Sequence, residues 1–216
     1  MFGRLLIATA LAVAVIVPGA LPGGAADPRG QVTEFPVNVG PTNTLDAITA
    51  GPDGNLWFTE SGGNRIGRIT TAGTVTEFSA GISPGSGPSG ITAGPDGNLW
   101  FTEFLGSRIG RITTTGAITE FSAGSTAGAM PIGIAAGPDG SLWFTELADR
   151  VACITTSGAV SEFSRGITPT SRPNGITAGS DGNLWFTEFR ANNVARIGPG
   201  CVAPPPPVPL SPRFTG

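Results

Sequence analysis

Four times the chain reads Leu-Trp-Phe-Thr-Glu, beginning at Leu56, Leu99, Leu142 and Leu184. The Leu-Trp-Phe run does not alternate with polar residues, so it predicts a strand covered on both faces rather than one half exposed to water. Neighbouring residues on a strand point to opposite faces. Trp57, Trp100, Trp143 and Trp185 on one side, and Phe58, Phe101, Phe144 and Phe186 on the other, are therefore read as two opposed sets of core residues. A single sheet cannot cover two faces by itself; stacking of successive repeats does so.

The tryptophans recur about every 43 residues, a period in the range of four-stranded propeller blades. Each copy parses into four short strands. The first is Ile-Thr-Ala-Gly, as at Ile91 to Gly94, and the second is Leu99 to Glu103. Between them lies Pro-Asp-Gly, in which Pro95 presets φ for a tight turn and Gly97 takes the left-handed conformation. The third strand surrounds Arg-Ile-Gly-Arg-Ile at Arg65 and Arg108; the fourth is the Thr-Glu-Phe segment ending at Phe78 and Phe121, with Ser161-Glu162-Phe163 in the third copy. The pattern predicts an all-β fold, a β-propeller of four four-stranded blades.

The last copy ends at its third strand, Val194-Ala195-Arg196-Ile197, whereas Val32-Thr33-Glu34-Phe35 matches a fourth strand with no blade before it. Pairing of this N-terminal strand into the last blade predicts a ring without an open edge. An open ring would instead leave edges for two copies to share as a homodimer.

The ends differ from the repeats. Arg4, the apolar run Leu5 to Val17 and the small residues Gly24-Ala25-Ala26 form the three-part pattern of a secretory signal over residues 1–26. The run is about 13 residues, short of the roughly 20 that a spanning helix needs. No membrane span is expected after signal cleavage, and the mature chain is expected to be secreted or held at the cell-envelope exterior. Residues 27–200 form the repeat domain, and residues 201–216 a Pro-rich tail expected to be disordered. The chain lacks Lys, Tyr and His, its net charge is −3, and its arginines are dispersed. Without a basic patch, nucleic acid is not an expected partner; a small molecule or extracellular ligand is, and the longer loops Ser83 to Ser89 and Gly124 to Pro131 are natural contact segments.

The combination Pro-x-Gly-Ile, Gly-Pro-Asp-Gly-x-Leu-Trp-Phe-Thr-Glu, Arg-Ile-Gly-Arg-Ile and Thr-Glu-Phe resembles the virginiamycin B lyase (streptogramin lyase) family over Val32 to Gly198. The resemblance implies a seven-bladed propeller that opens the ester of a cyclic depsipeptide antibiotic by elimination, using Mg2+ and a histidine base. Four copies are present here. The resemblance places the base at the x of Pro-x-Gly-Ile, which in this chain is Asp46, Ser89, Ile132 and Asn174, never histidine. A second metal carboxylate two residues earlier falls on Thr44, Gly87, Met130 and Arg172, none acidic. Only Asp46 has the chemistry of a base, if desolvated and opposite Glu60.

Glu60, Glu103, Glu146 and Glu188 end the repeated motif, where the resemblance implies metal binding. Two readings stand beside each other: ion pairs to Arg65, Arg108 and Arg150, or a channel-mouth site for Mg2+ or Ca2+, which favour oxygen ligands. Cys153 and Cys201 either form a disulfide, as export favours, or remain free. Two functions follow: a non-catalytic binding propeller, or a Mg2+-dependent lyase acting on a streptogramin B-type lactone.

Overall fold

A computed structural model describes residues 30–37, 40, 43–121 and 128–201. Residues 1–26, read as a secretory signal, the tail beyond Cys201 and residues 124–127 of the loop from Gly124 lie outside the described residues. The chain divides after Phe35 into two units. All fifteen strands of the described residues fall in the second.

Those strands form four antiparallel meanders, and no helix occurs among the described residues. The first blade comprises β1 (Leu45–Ala50), β2 (Leu56–Glu60), β3 (Arg65–Ile69) and β4 (Val75–Phe78). The second comprises β5 (Pro88–Ala93), β6 (Leu99–Glu103), β7 (Arg108–Ile112) and β8 (Ile118–Phe121). The third holds β9 (Pro131–Ala136), β10 (Leu142–Glu146), β11 (Arg150–Ile154) and β12 (Val160–Phe163), and the fourth β13 (Pro173–Ala178), β14 (Leu184–Glu188) and β15 (Asn193–Ile197). The predicted strands and four blades are thus present.

The core lies between blades. Trp57 and Ile66 of the first blade pack with Ile91, Leu99, Phe101 and Ile112 of the second. Trp100 and Ile109 meet Leu142, Phe144 and Ile154, and Trp143 and Val151 meet Leu184 and Phe186. Tryptophan faces the following blade and phenylalanine the preceding one, as the unbroken apolar run requires. The turn aspartate has a second duty, since Asp53, Asp96, Asp139 and Asp181 each accept a 3.0 Å bond from the indole N–H of their own blade's tryptophan. A buried indole needs such a partner. The glycine before the turn is required by the same ring: a Cβ on Gly94 would lie 2.4 Å from the Trp100 side chain.

An outer layer completes each tryptophan. Trp57 stacks on Phe78, Trp100 on Phe121 and Trp143 on Phe163, at centroid distances of 5.5, 5.2 and 5.6 Å. Arg68 and Arg111 lie over these pairs and donate to the backbone carbonyls of Thr114 and Thr156 in the next blade. The third blade has Cys153 at this position, and it reaches the next blade covalently: Cys153 and Cys201 are bridged, with Cα atoms 5.6 Å apart. Asp139 also accepts from the backbone N–H of Gly200 and Cys201, at 3.1 Å each.

The predicted ring closure is corrected among the described residues. The fourth sheet has three strands, residues 31–37 form none, and the inner strands pack β1 on β5, β5 on β9 and β9 on β13 without comparable packing of β13 on β1. The described blades therefore do not close into a ring.

The disulfide ties the last two blades, and in stacked repeats a lost contact is felt by the nearest neighbour first. Cys153→Ser combined with Cys201→Ser is expected to lower stability by about 2–4 kcal/mol. Hydrogen exchange should show the loss as faster exchange in β13 to β15, with β5 to β8 little changed.

Candidate functional site

The inner strand of each blade carries an irregularity at the position that the sequence reading assigned to the base. Leu45 pairs with Glu60, Pro88 with Glu103, Pro131 with Glu146 and Pro173 with Glu188, and the register shifts before Ile48, Ile91, Ile134 and Ile176. Asp46, Ser89, Ile132 and Asn174 fall within the bulge. Asp46 is therefore not opposite Glu60, correcting the expected pairing; Leu45 is.

A threonine holds each bulge. The hydroxyl of Thr59 accepts from the Ala47 N–H at 3.0 Å and donates to the Ser89 carbonyl of the next blade at 2.5 Å. Thr102 accepts from Gly90 and donates to Ile132; Thr145 accepts from Gly133 and donates to Asn174. The arrangement fixes backbone within a blade and across a joint with one side chain.

Three of the four bulge positions meet in one cavity of about 450 Å³, lined by Asp46, Ser89 and Ile132 together with Thr44, Gly87 and Leu105. Asn174 does not line it. Asp46 is the one carboxylate there, and it accepts a 2.7 Å bond from the Ser89 hydroxyl. Leu105 is 69% exposed, leaving an apolar wall beside this polar pair. The cavity offers an acceptor and an apolar surface. It contains no imidazole, since the chain has no histidine.

The motif glutamates lie elsewhere. Glu60, Glu103 and Glu146 are fully buried, and neither oxygen of any of them has a hydrogen-bond partner among the described residues. The expected pairing with arginine occurs once, Glu146 to Arg150 at 3.9 Å. Arg65 instead meets Glu77 at 2.6 Å and Arg108 meets Glu120 at 3.7 Å, both on fourth strands; Arg150 also reaches Glu162. Each of these blades thus carries two glutamates around one arginine. Glu188 differs: it accepts from the Thr168 N–H, the Ser171 hydroxyl and the Asn193 amide.

Magnesium or calcium needs several converging oxygen ligands. Among the described residues no group of three or more Asp, Glu, Cys or His is placed to hold a metal ion. The glutamates belong to separate blades, and each of the first three has its own guanidinium neighbour. These residues do not fit the shared ion that the resemblance implies.

Glu77, Glu120 and Glu162 were missed as partners, although the recurring Thr-Glu-Phe segment contains the first two. Nothing in the spacing showed that fourth-strand glutamates would take the arginines, because β3 lies between β2 and β4 in the sheet and its side chains can reach either neighbour.

Burial, and then the neighbouring Glu120 charge, push Glu103 up to about 7; burial and Glu162 do the same for Glu146. Glu60 is raised by burial and Glu77. A carboxyl whose folded pKa lies above its unfolded value contributes stability that is complete below the unfolded value and lost as pH rises through the folded one. The turn aspartates act oppositely. At Asp96 burial is outweighed by hydrogen bonds from Asn98 and Trp100, and Asp181 is held at about 2 by its bonds from Trp185 and Asn183. Their contribution is lost in acid. The melting temperature is accordingly expected to fall between pH 5 and pH 8, and Glu103→Gln with Glu146→Gln should flatten that limb. Calorimetry across the range measures it, and an unchanged slope in the double variant would refute the assignment.

The virginiamycin B lyase family model matches residues 22–204. Among solved structures, selenomethionine-substituted virginiamycin B lyase from Staphylococcus aureus is 44% identical, with a TM-score of 0.74, covering 78% of this chain and 57% of that one. A catalytically inactive histidine-to-alanine variant of the Staphylococcus aureus lyase with quinupristin is 46% identical, with a TM-score of 0.70, covering 76% of this chain and 55% of that one. A streptogramin B lyase structure is 39% identical, with a TM-score of 0.69, covering 78% and 58%. This chain thus spans less than two thirds of the length of each. No match was found among curated protein sequences. With the family model covering most of its length and its blades superposing on those enzymes, the chain belongs to the virginiamycin B lyase family.

Proposed function

We propose that the chain is an exported, non-catalytic member of its family that binds a small extracellular molecule in the cavity around Asp46 and Ser89. The observation that carries this reading is the content of the bulge positions. Where the resemblance calls for an imidazole base, the chain offers a carboxylate tied to a serine, a serine, an isoleucine and an asparagine. Abstraction of a proton from carbon needs a base with a pKa near the working pH, held within reach of that proton. A serine or asparagine does not supply one unaided. Asp46 is engaged as the acceptor of the Ser89 hydroxyl.

The same cavity suits recognition. Leu105 and Ile132 form an apolar wall, and Asp46 presents a carboxylate to a ligand that carries a hydrogen-bond donor or positive charge. A cyclic depsipeptide combines an apolar body with amide donors, and the likeness to a lyase solved with quinupristin makes streptogramin B compounds the first ligands to test.

The second reading, a Mg2+-dependent lyase opening the lactone of such compounds, rests on the identity of 44% to the Staphylococcus aureus enzyme. One experiment separates the two. The secreted chain is incubated with a streptogramin B and Mg2+, with an EDTA control, and the compound is followed by chromatography and mass spectrometry; calorimetric titration of the same pair measures binding. The expected result is intact compound and a binding isotherm that Leu105→Asp weakens roughly tenfold or more, since burying such a side chain contributes about 1.5–3 kcal/mol. A ring-opened product of unchanged mass, lost with EDTA, would establish the lyase and turn attention to Asp46. Intact compound without binding would remove this ligand class.

A further inference from the structure

The apolar wall of the cavity is set by a segment that lies mostly behind it. Residues 83–87 belong to the connection from the first blade to the second, and of these five only Gly87 lines the cavity. Their carbonyls take three N–H groups from the turn that carries Leu105. Gly87 accepts from Phe104 at 3.0 Å, and Ser86 accepts from Leu105 at 2.9 Å and from Gly106 at 3.0 Å. The contact is steric as well: Gly87 has φ +62°, and a Cβ there would stand 3.2 Å from Leu105 Cγ. The place of Leu105 therefore follows the shape of residues 83–87.

That shape is imposed from two sides. Asn64, in the turn between β2 and β3, spans both ends of the segment: its Nδ2 donates to the Ser83 carbonyl at 2.9 Å, and its Oδ1 accepts from the Gly87 N–H at 3.1 Å. From the second blade, Glu120 accepts from the Ser83 N–H and hydroxyl at 2.5 and 2.6 Å. Asn64 does not itself line the cavity. It has φ +52°, in the left-handed region that Asn enters more readily than most residues. An amide carries a donor and an acceptor at fixed spacing, which one carbonyl and one N–H require.

The third blade repeats the device with changed chemistry. Asp149, at the same place before β11, has φ +60° and accepts from the N–H groups of Thr170 and Arg172 at 2.6 and 3.0 Å. Both partners here are donors, and the clamping residue is a carboxylate. Thr170 and Arg172 are themselves left-handed, at φ +62° and +54°. Residues with side chains like these enter that region rarely, so in this connection the clamp, not glycine, holds the backbone in shape.

We infer that Asn64 is a positioning residue for ligand binding: by closing both ends of residues 83–87 it sets the Leu105 wall of the cavity before a ligand arrives. The inference rests on the reading of that cavity as the binding site. A wall that is already formed needs no ordering when the ligand binds. It suits a conformationally restricted ring, whose apolar face has to match a surface that does not adjust.

Asn64→Gly and Asn64→Asp in the full chain test this. Glycine keeps the left-handed backbone and removes both bonds; aspartate keeps the acceptor for Gly87 and loses the donor to Ser83. Quinupristin is titrated calorimetrically well below each variant's melting temperature, and amide exchange is followed residue by residue without ligand. Asn64→Gly is expected to weaken binding about tenfold, with Asn64→Asp between it and the wild type. Exchange should quicken at Gly87, Phe104, Leu105 and Gly106, while Thr170 and Arg172 keep their wild-type rates. Unchanged affinity in Asn64→Gly would overturn the proposal, since a residue that only stabilised the fold would lower the melting temperature and leave binding alone. Exchange that rises equally at Thr170 and Arg172, the mark of general unfolding, would overturn it too. If the wild type does not bind quinupristin, the reading of the cavity for this ligand class is what fails, and exchange alone decides the clamp. Selective quickening then upholds it, and unchanged rates at Gly87 and Leu105 reject it.

Discussion

A strand that is apolar on both faces has to be enclosed by two sheets, and the architecture of this chain follows from meeting that demand at Leu-Trp-Phe. Tryptophan is the most exacting member. Its N–H is satisfied by an aspartate of the preceding turn, its outer edge by a phenylalanine of the fourth strand, and its remaining face by leucine and phenylalanine of the next blade. The first two partners lie within the repeat and the third does not. A blade is consequently a folding module only in company, and stability should propagate between neighbours. The third joint shows how strictly the contact is kept: where arginine would reach the next blade, Cys153 reaches it through a disulfide.

The inner strands carry a division of labour between backbone and side chain. At each bulge it is the carbonyl that accepts the threonine hydroxyl of the preceding blade, so the joint needs the backbone of Ser89, Ile132 and Asn174 and is indifferent to what they carry. Side chains at this position can change while the ring geometry persists. This accounts for a serine, an isoleucine and an asparagine at equivalent places, and it separates the inheritance of the scaffold from the inheritance of a catalytic group.

Most of the fold was legible because periodicity, turn chemistry and two-faced strands all point the same way. The Leu-Trp-Phe runs gave both the strand and the face each ring would take; Pro-Asp-Gly gave the turn. Ring closure and the register at Asp46 were among the features that were not legible. Ring closure depends on the angle accumulated over three joints, which no local pattern encodes, so the likeness of residues 32–35 to a fourth strand did not decide whether they pair with β15. Opposition of Asp46 to Glu60 requires a hairpin whose register runs without irregularity to its open end. A bulge displaces that register by one residue, and its cause, a threonine hydroxyl inserted at Ala47, is a tertiary feature.

The fate of the motif glutamate joins these points. Glu103 is buried near the Glu120 charge, with Arg108 within 3.7 Å of Glu120, and one proton held on Glu103 leaves the group of three electrically neutral. Burial of an unbalanced charge is costly, and retaining a proton at a pKa of about 7 avoids it. In the fourth blade the equivalent of Arg108 is Asn193, and no second glutamate of the blade is present; there Glu188 is served by neutral donors and its pKa is lowered, with burial outweighed by the bonds from Asn193 and Thr168. The carboxyls whose pKa is raised accompany an arginine and a second glutamate, and the one whose pKa is lowered accompanies an asparagine. The glutamate is therefore accommodated by charge balance inside its own blade, independently of what the bulge positions carry.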